Sequence, residues 1–109
     1  MIDWKKAENI ACDFLKKKGY RILERNYRTR YGEIDIIARD GKEIVFVEVK
    51  SGTGRVDPLE RIDRRKVRSI ERSARIFMIQ NDVEGPIRVD FIRVTPGRVD
   101  HLEGIWLGW

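Results

Sequence analysis

The chain is poor in the residues that soft-metal and redox chemistry need. A single cysteine, Cys12, excludes an internal disulfide and offers nothing for a thiolate metal site. A single histidine, His101, argues against zinc chemistry built on imidazole and against a serine-type triad. No apolar run approaches the roughly 18–20 residues of a membrane span. The first residues, MIDWKKAENI, contain no apolar signal region, so the expectation is a cytoplasmic protein without a membrane partner. Linkers, internal repeats and low-complexity segments are also missing.

Charge is what the chain has in plenty. Of its 109 residues, 38% are charged and 41% hydrophobic, which suits a single domain over residues 1–109 with a modest core and a densely ionic surface. The net charge of +5 is unevenly spread: residues 1–31 carry +5, 32–54 carry −2, 55–75 carry +4 and 76–109 carry −2. An acidic centre between two basic arms suits a polyanion gripped through its phosphates. The plain alternative is a solvated ionic surface, as in heat-stable proteins.

Asp3 reads as an N-cap, and Trp4 to Lys18 as an amphipathic helix closed by Gly19. Its apolar stripe is Trp4, Ala7, Ile10, Ala11, Phe14 and Leu15. Tyr20 to Arg28 reads as a first strand, and 32–39 and 42–50 as two more, joined through the hairpin signal Asp40-Gly41. Asp57-Pro58 opens a helical region that runs through Ile62, Lys66, Ile70, Ala74 and Phe77, with Asp63 as a second N-cap. Ile87 to Val94 alternates as a strand, and a weaker one spans Val99 to Leu107. The expected fold class is α/β, in the order α-β-β-β-α-β-β.

A two-residue turn at Asp40-Gly41 sets Arg39 opposite Lys42, Asp35 opposite Phe46 and Glu33 opposite Glu48. One face of the hairpin is then Ile34, Ile36, Ala38, Val45, Val47 and Val49, which must be core. The other carries Glu33, Asp35, Ile37, Ile44, Phe46, Glu48 and Lys50, with its charges gathered at the open end. Carboxylates so placed repel unless a cation neutralises them or some hold protons. Oxygen ligands without His or Cys suit Mg2+, with Mn2+ as a substitute. Lys50 could orient or deprotonate an attacking water, or stabilise charge on a phosphate. The alternative is an exposed face whose Glu and Lys side chains pair across strands.

Asp35, followed after a gap by Glu48-Val49-Lys50, resembles the PD-(D/E)XK signature of restriction-endonuclease-like nucleases. The longer series is Gly19-Tyr20, Arg25-Asn26-Tyr27-Arg28, Gly32-Glu33-Ile34-Asp35-Ile36-Ile37-Ala38 and Val45-Phe46-Val47-Glu48-Val49-Lys50. It is similar to the YraN family of small bacterial proteins over nearly the whole chain. The resemblance implies a restriction-endonuclease-like core, a mixed sheet flanked by helices, shared with archaeal Holliday-junction resolvases. It also implies that a first-helix acid, here Glu8, completes the metal site of Asp35 and Glu48. Two positions depart from the pattern: no proline precedes Asp35, and Ser51-Gly52 stand where a basic residue is usual.

Lys66 falls within the apolar stripe of the second helix, where it either snorkels to solvent or reaches the acidic cluster or a phosphate, beside Glu33 as a supporting residue. Arg25, Arg28, Arg30, Arg64, Arg65 and Arg68 are the candidates for phosphate contacts that position a nucleic acid. Trp4, Phe14, Phe77 and Phe91 are assigned to the core, Cys12 to a helix edge, Asp90 to a structural role and His101 to the surface. Trp106 and Trp109 cap the core or form a subunit contact, which would make a homodimer; stacking on bases is the alternative set below these, because the two do not interleave with the basic stretches. Together these expectations describe a Mg2+-dependent endonuclease-like protein acting on DNA, including branched, damaged or single-stranded forms. The runner-up is a catalytically weak nucleic-acid-binding protein of the same fold, and a third reading is an interaction protein with a structural ion site.

Overall fold

The computed structural model describes residues 3–52 and 63–105. Helix α1 (Trp4–Lys17) starts where the Asp3 carboxylate accepts the Lys6 N–H at 2.8 Å, and it stops before Gly19, whose φ of +93° only glycine adopts readily. Three strands follow: β1 (Arg21–Thr29), β2 (Gly32–Asp40) and β3 (Glu43–Ser51). Helix α2 (Arg64–Gln80) is capped by Asp63, which accepts the Arg65 N–H at 2.8 Å. Strands β4 (Ile87–Thr95) and β5 (Arg98–Leu102) complete the order α-β-β-β-α-β-β. The expected helical start at Asp57-Pro58, the position of Ile62, the loop past Gly52, and Trp106 and Trp109 lie outside the described residues.

All five strands form one mixed sheet in sequence order, antiparallel except for the parallel pair β3–β4, which α2 bridges. Helix α1 covers one face with Ala7, Ala11 and Leu15, over Ile36, Ala38, Val45, Val47, Ile92 and Val94. Helix α2 covers the other with Val67, Ile70, Ala74 and Phe77, over Ile37, Ile44, Phe46, Val89 and Phe91. A side chain as buried as Phe46 contributes about 1.5–3 kcal/mol by leaving water. Among the described residues no helix is long and apolar enough to cross a membrane.

Two expectations about the hairpin change. The loop is Gly41-Lys42, so Asp40 pairs with Glu43 and Arg39 with Ile44, two places from the expected register. The reason is local: Gly41 has φ +60° and takes the first central position of the loop, where a two-residue hairpin can use it. A shift of two keeps the parity of the strands. Parity fails elsewhere, at Asp35: Ile36 packs under α1, but Ile34 joins the α2 cluster instead of the face predicted for it. The break coincides with Asn26 on β1, which the register sets opposite Asp35 and whose φ is +53°. Asn is among the few residues that enter this left-handed region readily.

Candidate metal centre

The break in alternation decides where Asp35 projects. Asp35 lines a cavity of about 220 Å³ at the open end of the sheet together with Trp4, Ala7 and Glu8 of α1, Glu33 of β2, and Glu48, Val49 and Ser51 of β3. Three of the predicted ligands, Asp35, Glu48 and Glu8, thus border one space. The β2–β3 ladder ends at Ile36–Val47, and beyond it the Asp35 carboxylate takes over the pairing by accepting the Val49 N–H at 2.7 Å.

Each acid has a distinct set of neighbours. Burial pushes the Asp35 carboxyl above its ordinary value, against the Val49 N–H bond and the charges of Lys66 and Lys50. Burial likewise raises Glu8, against a 2.9 Å bond from Asn26 Nδ2, and the nearby charges of Asp35 and Glu33 add to the rise. Arg25 Nη2 lies 3.7 Å from Glu8 Oε1 and donates to Asn9 at 2.8 Å, so it serves the wall of the cavity rather than projecting freely. Glu48 has a side chain only 6% exposed. Lys66 Nζ stands 3.0 Å from its Oε2 as an ion pair, yet off the direction of a hydrogen bond, so this buried oxygen accepts none. Lys66 also donates to the Glu33 carbonyl at 3.3 Å. Of the two readings of Lys66, the structure takes the reach towards the acids.

Other predicted residues stand apart. Lys50 is exposed and is not among the residues that line the cavity. Arg28, Arg30, Arg64, Arg65 and Arg68 are exposed, Arg28 at 3.7 Å from Glu33 and Arg30 stacked on the Tyr31 ring. Trp4, expected in the core, is 59% exposed at the cavity's rim. It is the first residue of α1. Phe77 and Phe91 are buried as expected, Cys12 is buried and free, and Phe14 is half-buried.

Among the described residues, the group of acids and imidazole whose ligand atoms approach within 4.8 Å of one another is Asp90, His101 and Glu103, not the predicted site. Its cation is already present. Arg88 donates from Nε and Nη2 to the two oxygens of Asp90 at 2.9 and 3.0 Å, and its Nη2 lies 3.1 Å from Glu103. Asp90 further accepts the Gly104 N–H at 2.9 Å and meets His101 Nε2 at 2.7 Å. Burial alone would raise the Asp90 pKa, but the bonds from His101, Arg88 and Gly104 outweigh it and hold the value low. This group is structural, as expected of Asp90. The surface role expected of His101 is corrected: its side chain is 4% exposed, wedged between Asp90 and Lys18, whose Nζ is 2.8 Å from Nδ1.

Sequence reasoning missed Asn26 as the partner of Glu8, although a left-handed Asn beside a kinked strand is a readable type of exception. It also left Gly32 without a physical reason. That glycine has φ +136°, and a Cβ there would come within 2.7 Å of Ser69 Oγ, which bonds the Tyr31 carbonyl and fixes α2 against the turn that leads into β2.

Residues 7–94 match the model of the uncharacterised protein family UPF0102. A UPF0102 protein of Thermotoga petrophila is 74% identical over 108 residues, covering 99% of this chain and all of the relative. Relatives of the same description in Pseudothermotoga lettingae and Fervidobacterium nodosum are 46% and 43% identical, over 95% and 98% of this chain and 98% and 82% of theirs. The chain therefore belongs to the UPF0102 family.

Proposed function

We propose that this protein is a Mg2+-dependent, nuclease-like protein acting on DNA, of the PD-(D/E)XK type that its YraN-like motifs suggest. The observation that carries the reading is the cavity shared by Asp35, Glu48 and Glu8, into which Glu48 brings a buried oxygen without a directed hydrogen bond. A hard cation suits such a donor set, because carboxylate and backbone oxygens are what Mg2+ and Mn2+ prefer. Asp35 and Glu48 would hold it, with Glu8 as a third acid. The ion, when bound, would polarise a phosphodiester and lower the pKa of water.

The chain's own groups have separable tasks. The Val49 N–H fixes one oxygen of Asp35, so its carboxylate is oriented before anything binds. Asn26 and Arg25 do the same for Glu8. Lys66 neutralises Glu48 in the free protein and would turn its charge to a phosphate oxygen once an ion takes its place at Glu48. Exposed Arg64, Arg65 and Arg68 at the start of α2 would grip backbone phosphates without reading sequence.

The second reading, a DNA-binding protein with little catalysis, has one observation in its favour: Lys50, the lysine of the ExK motif, is exposed outside the cavity. Incubating wild type and Asp35→Ala with branched, nicked and single-stranded DNA in Mn2+ separates the two. Cleavage by wild type that Asp35→Ala removes supports the nuclease; binding by both proteins without cleavage supports the second reading.

A further inference from the structure

We propose that Trp4 is a stacking platform for an unpaired base, so that the acidic cavity takes a DNA strand whose nucleotide beside the bound phosphate lies outside a duplex. The inference rests on the DNA reading above and narrows its substrate class.

Two large hydrophobic side chains are exposed among the described residues, Trp4 and Ile79, and of these Trp4 borders the cavity. An indole kept 59% in water contributes little to the core, which places its value in what it can cover. It shares the cavity wall with Glu8, Asp35 and Glu48, so a base lying on it would belong to a strand that also enters the cavity. The charge around it suits a nucleic-acid strand. Lys5 Nζ stands over the indole, 5.7 Å from its centroid, and Arg25 lies behind Glu8. Such cations hold backbone while the ring takes the base.

The geometry of DNA supplies the rest. Inside a duplex both faces of a base are occupied by its neighbours, so an indole on a helix end can meet one only where the strand is single, frayed, branched or flipped. Every base has a π-face, so stacking on Trp4 selects for strand state and not for sequence.

The test measures anisotropy of one labelled oligonucleotide, single-stranded and as a blunt duplex, with Ca2+ in place of Mn2+ to keep the strands whole. Trp4→Ala should weaken single-strand binding about tenfold, within the range of a lost base–aromatic stack, and duplex binding less than about twofold. Trp4→Phe should restore most of the loss, and thermal melts should coincide because the side chain lies outside the core. With Trp106 and Trp109 changed to Phe, the remaining indole fluorescence should be quenched by the single strand and not by the duplex. Equal losses on both DNAs, or none, overturn the platform while the DNA reading stands. If wild type binds neither DNA, the DNA reading itself fails.

Discussion

Among the described residues two groups of acids lie under cover, apart from the single buried Glu71 of α2, and they differ in how their charge is met. Asp90 has a partner for every lone pair it can use: Arg88 on both oxygens, His101 on one and the Gly104 N–H on the other. At the open end of the sheet, Asp35 and Glu8 carry carboxyls pushed up by burial, and Glu48 keeps an oxygen that accepts no hydrogen bond. The first group is complete and leaves no room for a ligand's charge. The second is incomplete, and incompleteness under cover is what a binding site costs a fold. The more compact cluster is thus the poorer candidate for a metal, because Arg88 already stands where the ion would go.

The largest effect expected from breaking this contrast is at the complete group. Asp90→Ala leaves the Arg88 guanidinium, 12% exposed, without its main counter-charge, and the remaining acids Asp40, Glu43 and Glu103 are too exposed to replace it. Urea unfolding should show a loss of about 3–5 kcal/mol, the usual result of removing one partner of a buried pair.

Replacing Arg64, Arg65 and Arg68 together should flatten the dependence of duplex binding on salt by about 0.9 in log–log slope for each phosphate no longer neutralised. Mn2+ affinity should stay within about twofold. A slope unchanged by all three substitutions removes the start of α2 from the proposed DNA interface.

At the incomplete group, Asp35→Asn should leave the metal-free protein as stable as wild type or more stable, by about 0–1 kcal/mol, since a charge disfavoured by burial, which also repels Glu8, is removed. A loss of several kcal/mol would make Asp35 as structural as Asp90. The two sites should also respond oppositely to pH. Asp90 has a lowered pKa, so its contribution is present above the ordinary value of 3.8 and is lost as pH falls through the depressed one. Asp35 has a raised pKa, so its contribution is present in acid and is lost as pH rises through the raised value. The penalty of Asp90→Ala should therefore shrink in acid, and the gain of Asp35→Asn should grow towards neutrality.

Much of this architecture was legible in the sequence because the signals are local. Asp3 and Asp63 cap helices where an N-cap residue precedes an apolar stripe, and Ile87 to Val94 alternates as a strand with one register. The gathering of Glu33, Asp35 and Glu48 at the open end of the hairpin was legible in the strand pattern, but the side to which Asp35 projects was not, because parity breaks there. What escaped depends on single exceptions or on distant contacts. The left-handed Asn26 breaks the period of two that assigned Ile34 to the α1 face. His101 looked like a lone surface residue because its partners, Asp90 and Lys18, are 11 and 83 positions away. Trp4 continues the spacing of an apolar stripe, and no periodicity reports that this first residue of α1 stays exposed.

The contrast between complete and incomplete acids is tested most directly by Mn2+ titration of the free protein, followed by calorimetry or Mn2+ paramagnetic resonance. Wild type should bind one ion with millimolar or better affinity, Asp35→Ala should abolish that binding, and Glu103→Gln should leave it unchanged. Retention of Mn2+ by Asp35→Ala, or its loss in Glu103→Gln, would contradict the assignment of the metal centre to the open end of the sheet.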